Sequence, residues 1–389
     1  MSITYPGGFR AAGVPAGLKS TGKPDVALVV NDGPLHNAAA VFTSNRVAAA
    51  PVLWSRQVIA DGRADAVVLN SGGANACTGP EGFGNTHRTA EVTAELLGIS
   101  ASDVIVCSTG LIGEQLPMDK LLAGVTGAAG SLGRGGGPTA AEAIMTTDSV
   151  PKEARYPATA DSASEGYAIG GMAKGAGMLA PGLATMLVVL TTDAALDAEA
   201  LDAALREATR VSFDRTDADG CMSTNDTVVL LASGAAGIAP DQAQFTEALT
   251  GVCLDLAAQL INDAEGASHT VAVTTVNAAS ERDAEVVSRA VARSNLFKTA
   301  IFGNDPNWGR VLAAVGTTDA AFEPDRLNVS MNGVQICRDG GIGDSRELVD
   351  LTGRDVEVEI DLAAGEARAT IWTNDLTHEY VHENSAYSS

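Results

Sequence analysis

Apolar residues in this chain fall into short runs closed by polar turns, and that spacing constrains the fold more than any other feature. The runs at 26–30, 67–70, 104–107, 186–190, 228–231 and 270–276 are short and rich in Val, Leu and Ile, so they read as buried strands. Helical stretches lie between them. Residues 85–98 read as a helix ending at Gly98, residues 117–125 as another with Pro117 near its start, and residues 195–209 as a third. In 241–264, Phe245, Leu249, Val252, Leu256 and Leu260 recur at three- and four-residue spacing, which places them on one face of a long helix. A helix over 282–297 and a β-rich tail complete the chain, with turns at 331–334 (MNGV) and 363–366 (AAGE) suited to hairpins. Strands and helices mix without regular βαβ alternation. The expected class is α+β: mixed α/β layers, sheets sandwiched by helices, and a smaller C-terminal α/β region.

Composition narrows the function. The 389 residues suffice for a large core, but only 4% are aromatic, so Ala, Val, Leu and Ile must build it. A formal net charge of −23 argues against nucleic acid, which needs concentrated Lys and Arg, and against anionic membranes. The start, MSITYPGGFRAAGVPAG, has no basic segment followed by an apolar one, and the apolar run 178–190 is interrupted by Pro181 and Gly182. A cytoplasmic chain without a membrane span is expected.

Cys77, Cys107, Cys221, Cys253 and Cys337 are scattered without a CxxC pair, which suits a reducing compartment. His378 and His382 stand four apart, a spacing that shares a metal on a helix. Their context, DLTHEYVHENSAYSS, is more strand-like and lacks a third ligand, so no metal site is expected. GRGGGP (133–138) reads as a surface loop, since it lacks the Lys-Ser/Thr and the preceding strand of a P-loop.

Four stretches carry more Gly, Thr, Ser and Asn than packing requires: NSGGANACTG (70–79), CSTGLIG (107–113), KGAGMLAPGLATM (174–186) and DGCMSTNDT (219–227). Each borders an apolar run, where sites are commonly built. Any one alone reads as a turn, and a Thr at the head of a strand, as Thr185 is, is ordinary by itself.

Together with AIMTTD, DAEG, FGNDPNWGRVLAAVG and the terminal YVHENSAYSS, these stretches resemble the ornithine acetyltransferases of the cyclic arginine pathway over nearly the whole chain. The resemblance implies a fold of the self-cleaving N-terminal-nucleophile type. It implies a precursor cut between Ala184 and Thr185 into an α chain, 1–184, and a β chain, 185–389. The α chain would carry the oxyanion hole and substrate lysine. The β chain would carry the Thr185 nucleophile, the substrate glutamate and a C-terminal tail that closes the site. Association as an α2β2 heterotetramer is implied.

The residues make chemical sense of this. A Thr hydroxyl is a poor nucleophile without a base, and an N-terminal Thr brings its own α-amino group, with an ordinary pKa of about 7.7–8.0. The glycines at 175, 177 and 182 permit a sharp backbone path. By resemblance, Thr109 and Gly110 form the oxyanion hole. Lys174, Glu265, Asn384, Ser389 and Thr185 bind substrate with a Thr of MTTD, either Thr146 or Thr147. The reading that 241–264 is helical puts Glu265 near a helix C-terminus, where the macrodipole disfavours a carboxylate.

The implied activity is glutamate N-acetyltransferase: ping-pong transfer of acetyl from N2-acetyl-L-ornithine to L-glutamate through an acetyl-enzyme. Acetyl-CoA as a second donor, which would add amino-acid N-acetyltransferase activity, stays open; no other cofactor is implied. Two alternatives differ in class. One is an N-terminal-nucleophile amidohydrolase or aminopeptidase, the other a non-catalytic amino-acid-binding protein. The chain departs from the family at Cys221, in DGCM, and at Ser268 and His269 after DAEG, where Thr-Lys is usual.

Overall fold

The structure, a computed structural model, describes residues 2–157, 166–180 and 186–386. The chain divides into two compact units: Met1–Asp214 with Met222–Asp263, and Arg215–Cys221 with Ala264–Ser388.

The first unit begins with strands β1 (Phe9–Val14), β2 (Val26–Asn31) and β3 (Asn37–Phe42) and helix α1 (Ala50–Val58). Strand β4 (Ala66–Asn70), helix α2 (Gly79–Leu97) and strand β5 (Val104–Ser108) follow. Then come helices α3 (Met118–Gly130) and α4 (Gly137–Ala143) and strands β6 (Lys152–Tyr156), β7 (Ile169–Lys174) and β8 (Leu187–Thr192). Helix α5 (Ala198–Val211), strand β9 (Thr227–Ala232) and helix α6 (Gln242–Asn262) close the unit.

Its strands form two sheets, ordered β1-β2-β4-β5 and β3-β9-β8-β7-β6. Alternate residues of β2, β4 and β5 (Val29, Val67, Leu69, Ile105) meet Met172, Leu187, Val189, Val229 and Leu231 from the second sheet in one core. The opposite residues (Val26, Leu28, Val68, Val106) pack on Ala90 and Ala94 of α2 and Leu121 and Val125 of α3. Helices α5 and α6 contact the second sheet. Each central strand is covered on both faces, which explains why its sequence is a continuous apolar run rather than an alternating one. The sheets are sandwiched by helices, as the sequence predicts.

Small residues replace aromatic bulk here, and some permit backbone contact. A Cβ on Gly170 in β7 would lie 1.9 Å from the Ser2 carbonyl oxygen. Gly170→Ala is expected to lower stability by about 1–3 kcal/mol through overpacking, read as a shift in urea midpoint.

The second unit contains β10 (Thr270–Ala278) and helices α7 (Glu281–Ala292), α8 (Asn295–Phe302) and α9 (Trp308–Val315). Strands β11 (Asn328–Met331), β12 (Val334–Arg338), β13 (Gly341–Ile342), β14 (Asp355–Asp361) and β15 (Ala367–Asn374) and helix α10 (His378–Ala386) follow. The sheet order is β13-β12-β11-β14-β10-β15. Val356, Val358 and Ile360 of β14 share a core with Val273 of β10 and Val287 and Val291 of α7, while Asp355, Glu357 and Glu359 are exposed. One face is thus covered and the other polar.

Several sequence expectations are corrected. The tail at 378–386 is helical, not strand-like, because α10 packs on the turn at Gly266, where a Cβ would lie 2.2 Å from the Tyr380 nitrogen. The 331–334 turn is a hairpin, with Asn332 and Gly333 both at positive φ. The 363–366 turn is not, since β10 lies between β14 and β15. The helix expected at 282–297 is two, separated where Ser294 caps α8. The 133–138 loop already enters α4 at Gly137. Parallel βαβ units do occur, at β4-α2-β5 and β8-α5-β9.

Candidate active site

In the first unit the site residues gather where strands end. Asn70 closes β4 and stands opposite Ser108, which closes parallel β5. The two loops that follow run side by side. The Ala74 amide donates to the Leu111 carbonyl (2.9 Å), and the Gly113 amide to that of Ala76 (2.9 Å). Asn225 fastens both loops, its Nδ2 donating to the carbonyls of Ala74 (2.6 Å) and Ser108 (2.8 Å).

These contacts define what Thr109 and Gly110 can offer. The Thr109 amide is already donated to the Asn70 carbonyl (3.0 Å), so its hydroxyl is the group left for a ligand. Gly110 has φ +129, and a Cβ there would sit 2.9 Å from the Gly73 nitrogen. Only glycine fits this crossing without strain. Lys174, the last residue of β7, is 2% exposed. Its Nζ donates to Thr109 Oγ1 (3.3 Å) and Thr146 Oγ1 (2.7 Å).

Beneath Lys174 lies Asp148. Its Oδ1 accepts from Lys152 Nζ (2.6 Å) and the Gly175 amide (2.6 Å), and its Oδ2 accepts from the Thr146 amide (3.0 Å). Lys174 Nζ is 4.0 Å away, and Lys152 also reaches Asp263 (2.6 Å). Burial pushes the Asp148 carboxyl up, but Lys174, Lys152 and these hydrogen bonds outweigh it and bring the pKa down to about 2. Asp148 is a fixed anion on which the lysine and the threonine loop are assembled.

In the second unit, Asn384 Nδ2 donates to Glu265 Oε2 (2.9 Å). Glu265 lies in a turn beyond Asn262, the last residue of α6, so the dipole argument from a longer helix does not apply. Thr377 Oγ1 donates to the Gly266 carbonyl (2.6 Å) and accepts from the Tyr380 amide (3.0 Å), which seats α10 on this turn.

Residues 10–389 match the ArgJ family. The chain belongs to the ArgJ family. It is 65% identical over 389 residues to a Streptomyces coelicolor protein named arginine biosynthesis bifunctional protein ArgJ, covering both chains completely. A protein of the same name from Mycobacterium tuberculosis is 56% identical over 395 residues, covering this chain fully and 96% of its own. Among solved structures, the chain is similar to ornithine acetyltransferase from Mycobacterium tuberculosis complexed with ornithine. The identity is 54% and the TM-score 0.43, over 48% of this chain and 96% of that one.

Within this ArgJ-family chain, the sequence-predicted residues form two groups. Thr109, Gly110, Thr146 and Lys174 come together in the first unit, and Glu265 pairs with Asn384 in the second. Of the two threonines left open, Thr146 holds Lys174. Ala184, Thr185 and Ser389 lie outside the described residues. Sequence reasoning missed Asp148, Lys152, Asn225 and Asp226, although MTTD and STNDTV contain three of them. Spelling alone draws attention to the threonines of MTTD, and DGCMSTNDT by itself reads as a turn. No group of His, Cys, Asp and Glu able to hold a metal occurs among the described residues, and no described helix is long and apolar enough to cross a membrane.

The departures from the family pattern have structural roles. Ser268 and His269 both bond Asp375, and His269 Nε2 meets the Leu351 carbonyl (3.0 Å). Burial, with Asp219 and Asp217 nearby, pushes the Cys221 thiol up, away from reactivity.

Proposed function

We propose that the chain is an autoprocessing acetyltransferase of arginine biosynthesis that moves acetyl from N2-acetyl-L-ornithine to L-glutamate through an ester on Thr185. The observation that carries this reading is the buried cation Lys174, held by Asp148 and bonded to Thr109 beside the glycine crossing at Gly110. A buried ammonium next to hydroxyl donors suits a substrate carboxylate and a carbonyl that becomes an oxyanion. Family membership and the ornithine held by a 54%-identical relative support the substrate class.

In this reading the α-amino group of Thr185 accepts the hydroxyl proton, and Oγ attacks the acetyl carbonyl. The Thr109 hydroxyl and the Gly110 amide take the oxyanion, each such donor contributing about 10²–10³ in rate. Ornithine leaves, glutamate enters the same site, and its amine removes the acetyl group. Lys174 and Thr146 hold the carboxylate; Glu265, Asn384 and Ser389 are the further substrate residues that the family resemblance implies.

Strands β8 and β9 follow residue 185 and share a sheet with β3, β6 and β7 from the preceding half. The two products of cutting would therefore stay together; pairing as α2β2 and a cytoplasmic location are carried over from the family resemblance. Acetyl-CoA is included as a second donor, with no metal.

The test is ornithine release from N2-acetylornithine with and without glutamate. Release that requires glutamate and yields N-acetylglutamate is expected. Release into water alone would indicate an amidohydrolase, and binding without release a binding protein. Replacing acetylornithine by acetyl-CoA tests the second donor.

A further inference from the structure

The heads of β8 and β9 carry a carboxyl that the mechanism above leaves unused. Leu187 opens β8 opposite Lys174 on one side and Thr227 on the other, so three strands present their ends at one level. One residue before Thr227 stands Asp226, which is 0% exposed. Its Oδ1 accepts the Met186 amide (3.0 Å), and the Met186 carbonyl accepts the Thr227 amide (3.2 Å). Oδ2 is buried and has no hydrogen-bond partner among the described residues.

An orphaned carboxylate oxygen in such a place is costly, whereas a protonated carboxyl is not. Burial pushes the Asp226 pKa well above the ordinary carboxylate range, and Asp214, in the turn Phe213–Arg215, pushes the same way. The Met186 amide, the Ser223 hydroxyl and Lys174 at the end of β7 oppose the rise without cancelling it. Burial thus favours the protonated form of Asp226, while the lysines and amides around Asp148 across Lys174 favour its ionised form. Carboxyls held in opposite states at one site mark a division of acid and base work.

The bond proposed to be cut ends one residue before Met186. Its cleavage needs a proton on the departing Thr185 nitrogen. We propose that Asp226 is the general acid of chain cleavage. The proposal rests on the reading of Thr185 as the self-cleaving nucleophile. As Oγ bonds to the Ala184 carbonyl carbon and the carbon–nitrogen bond breaks, Asp226 gives its proton to the nitrogen. The carboxylate left behind takes the proton released by the Thr185 hydroxyl. Water then hydrolyses the ester, freeing the Ala184 carboxylate.

The test follows freshly synthesised full-length chain by intact mass across pH 6–9, for wild type, Thr185→Ala, Asp226→Asn and Asp226→Glu. Asparagine keeps an acceptor for Met186 but has no proton to give. It is expected to slow cutting by about a hundredfold or more, while Glu restores cutting. Wild-type cutting is expected to fall as pH rises, because the acid form is consumed, and this readout needs no variant to fold. A wild-type rate flat or rising with pH, or equal rates for Asp226→Asn and wild type, would overturn the proposal. A wild type that stays uncut at every pH would instead overturn the nucleophile reading on which it rests.

Discussion

Thr185→Ala is expected to be recovered as a single 389-residue chain, and wild type as the proposed fragments 1–184 and 185–389. The same variant is expected to lose ornithine release by about 10⁴-fold or more, the scale reached when a nucleophile is removed from a covalent mechanism. Both losses have one cause. In the proposed mechanism, cutting and acetyl transfer use the same hydroxyl against two carbonyls, and only the first exposes the amine that serves the second. The groups around Lys174 stay in place, so the variant should still bind acetylornithine. Calorimetry on the uncut chain separates a binding defect from a chemical one. Two fragments from the variant, or one chain from wild type, would remove Thr185 from both roles.

The sequence made the layers legible because each central strand of the first unit is buried on both faces and writes itself as a continuous run. Strand β8 is the clearest case. Strand β7, IGGMAK, was hidden because its glycines meet backbone and neighbouring side chains at close range, a reason visible only once Ser2 and Leu256 lie against them. The turn at 363–366 misled for another reason: local chemistry fixes a reversal but not which strand lies alongside, and β10 intervenes. At the site, motif spelling points to Thr109, Gly110, Lys174, Glu265 and Asn384, and the structure bonds Lys174 to Thr109 in one unit and Asn384 to Glu265 in the other. Spelling did not reveal Asp148, whose importance comes from two lysines and two amides converging on one carboxylate from separate segments.

That convergence sets the second large effect. Asp148→Asn is expected to lower stability at pH 7 by about 3–5 kcal/mol, the range for breaking a buried pair by removing one partner. Lys152 keeps Asp263, but the anion closest to both lysines is gone, and the amide offers one acceptor where the Gly175 and Thr146 amides had two. The pH dependence distinguishes charge from shape. The folded carboxyl titrates at about 2 against an ordinary 3.8, so its ionised form favours the fold above 3.8. That contribution, about 2 kcal/mol, disappears as pH falls from 3.8 through 2. The gap between wild type and Asp148→Asn should therefore narrow over this window in urea titrations and hold steady from pH 5 to 7. A gap independent of pH would mean that Asp148 acts through packing alone. Activity provides the independent readout: with Thr146 and Gly175 released, Lys174 loses its fixed position, and KM for acetylornithine should rise at pH values where the fold is intact.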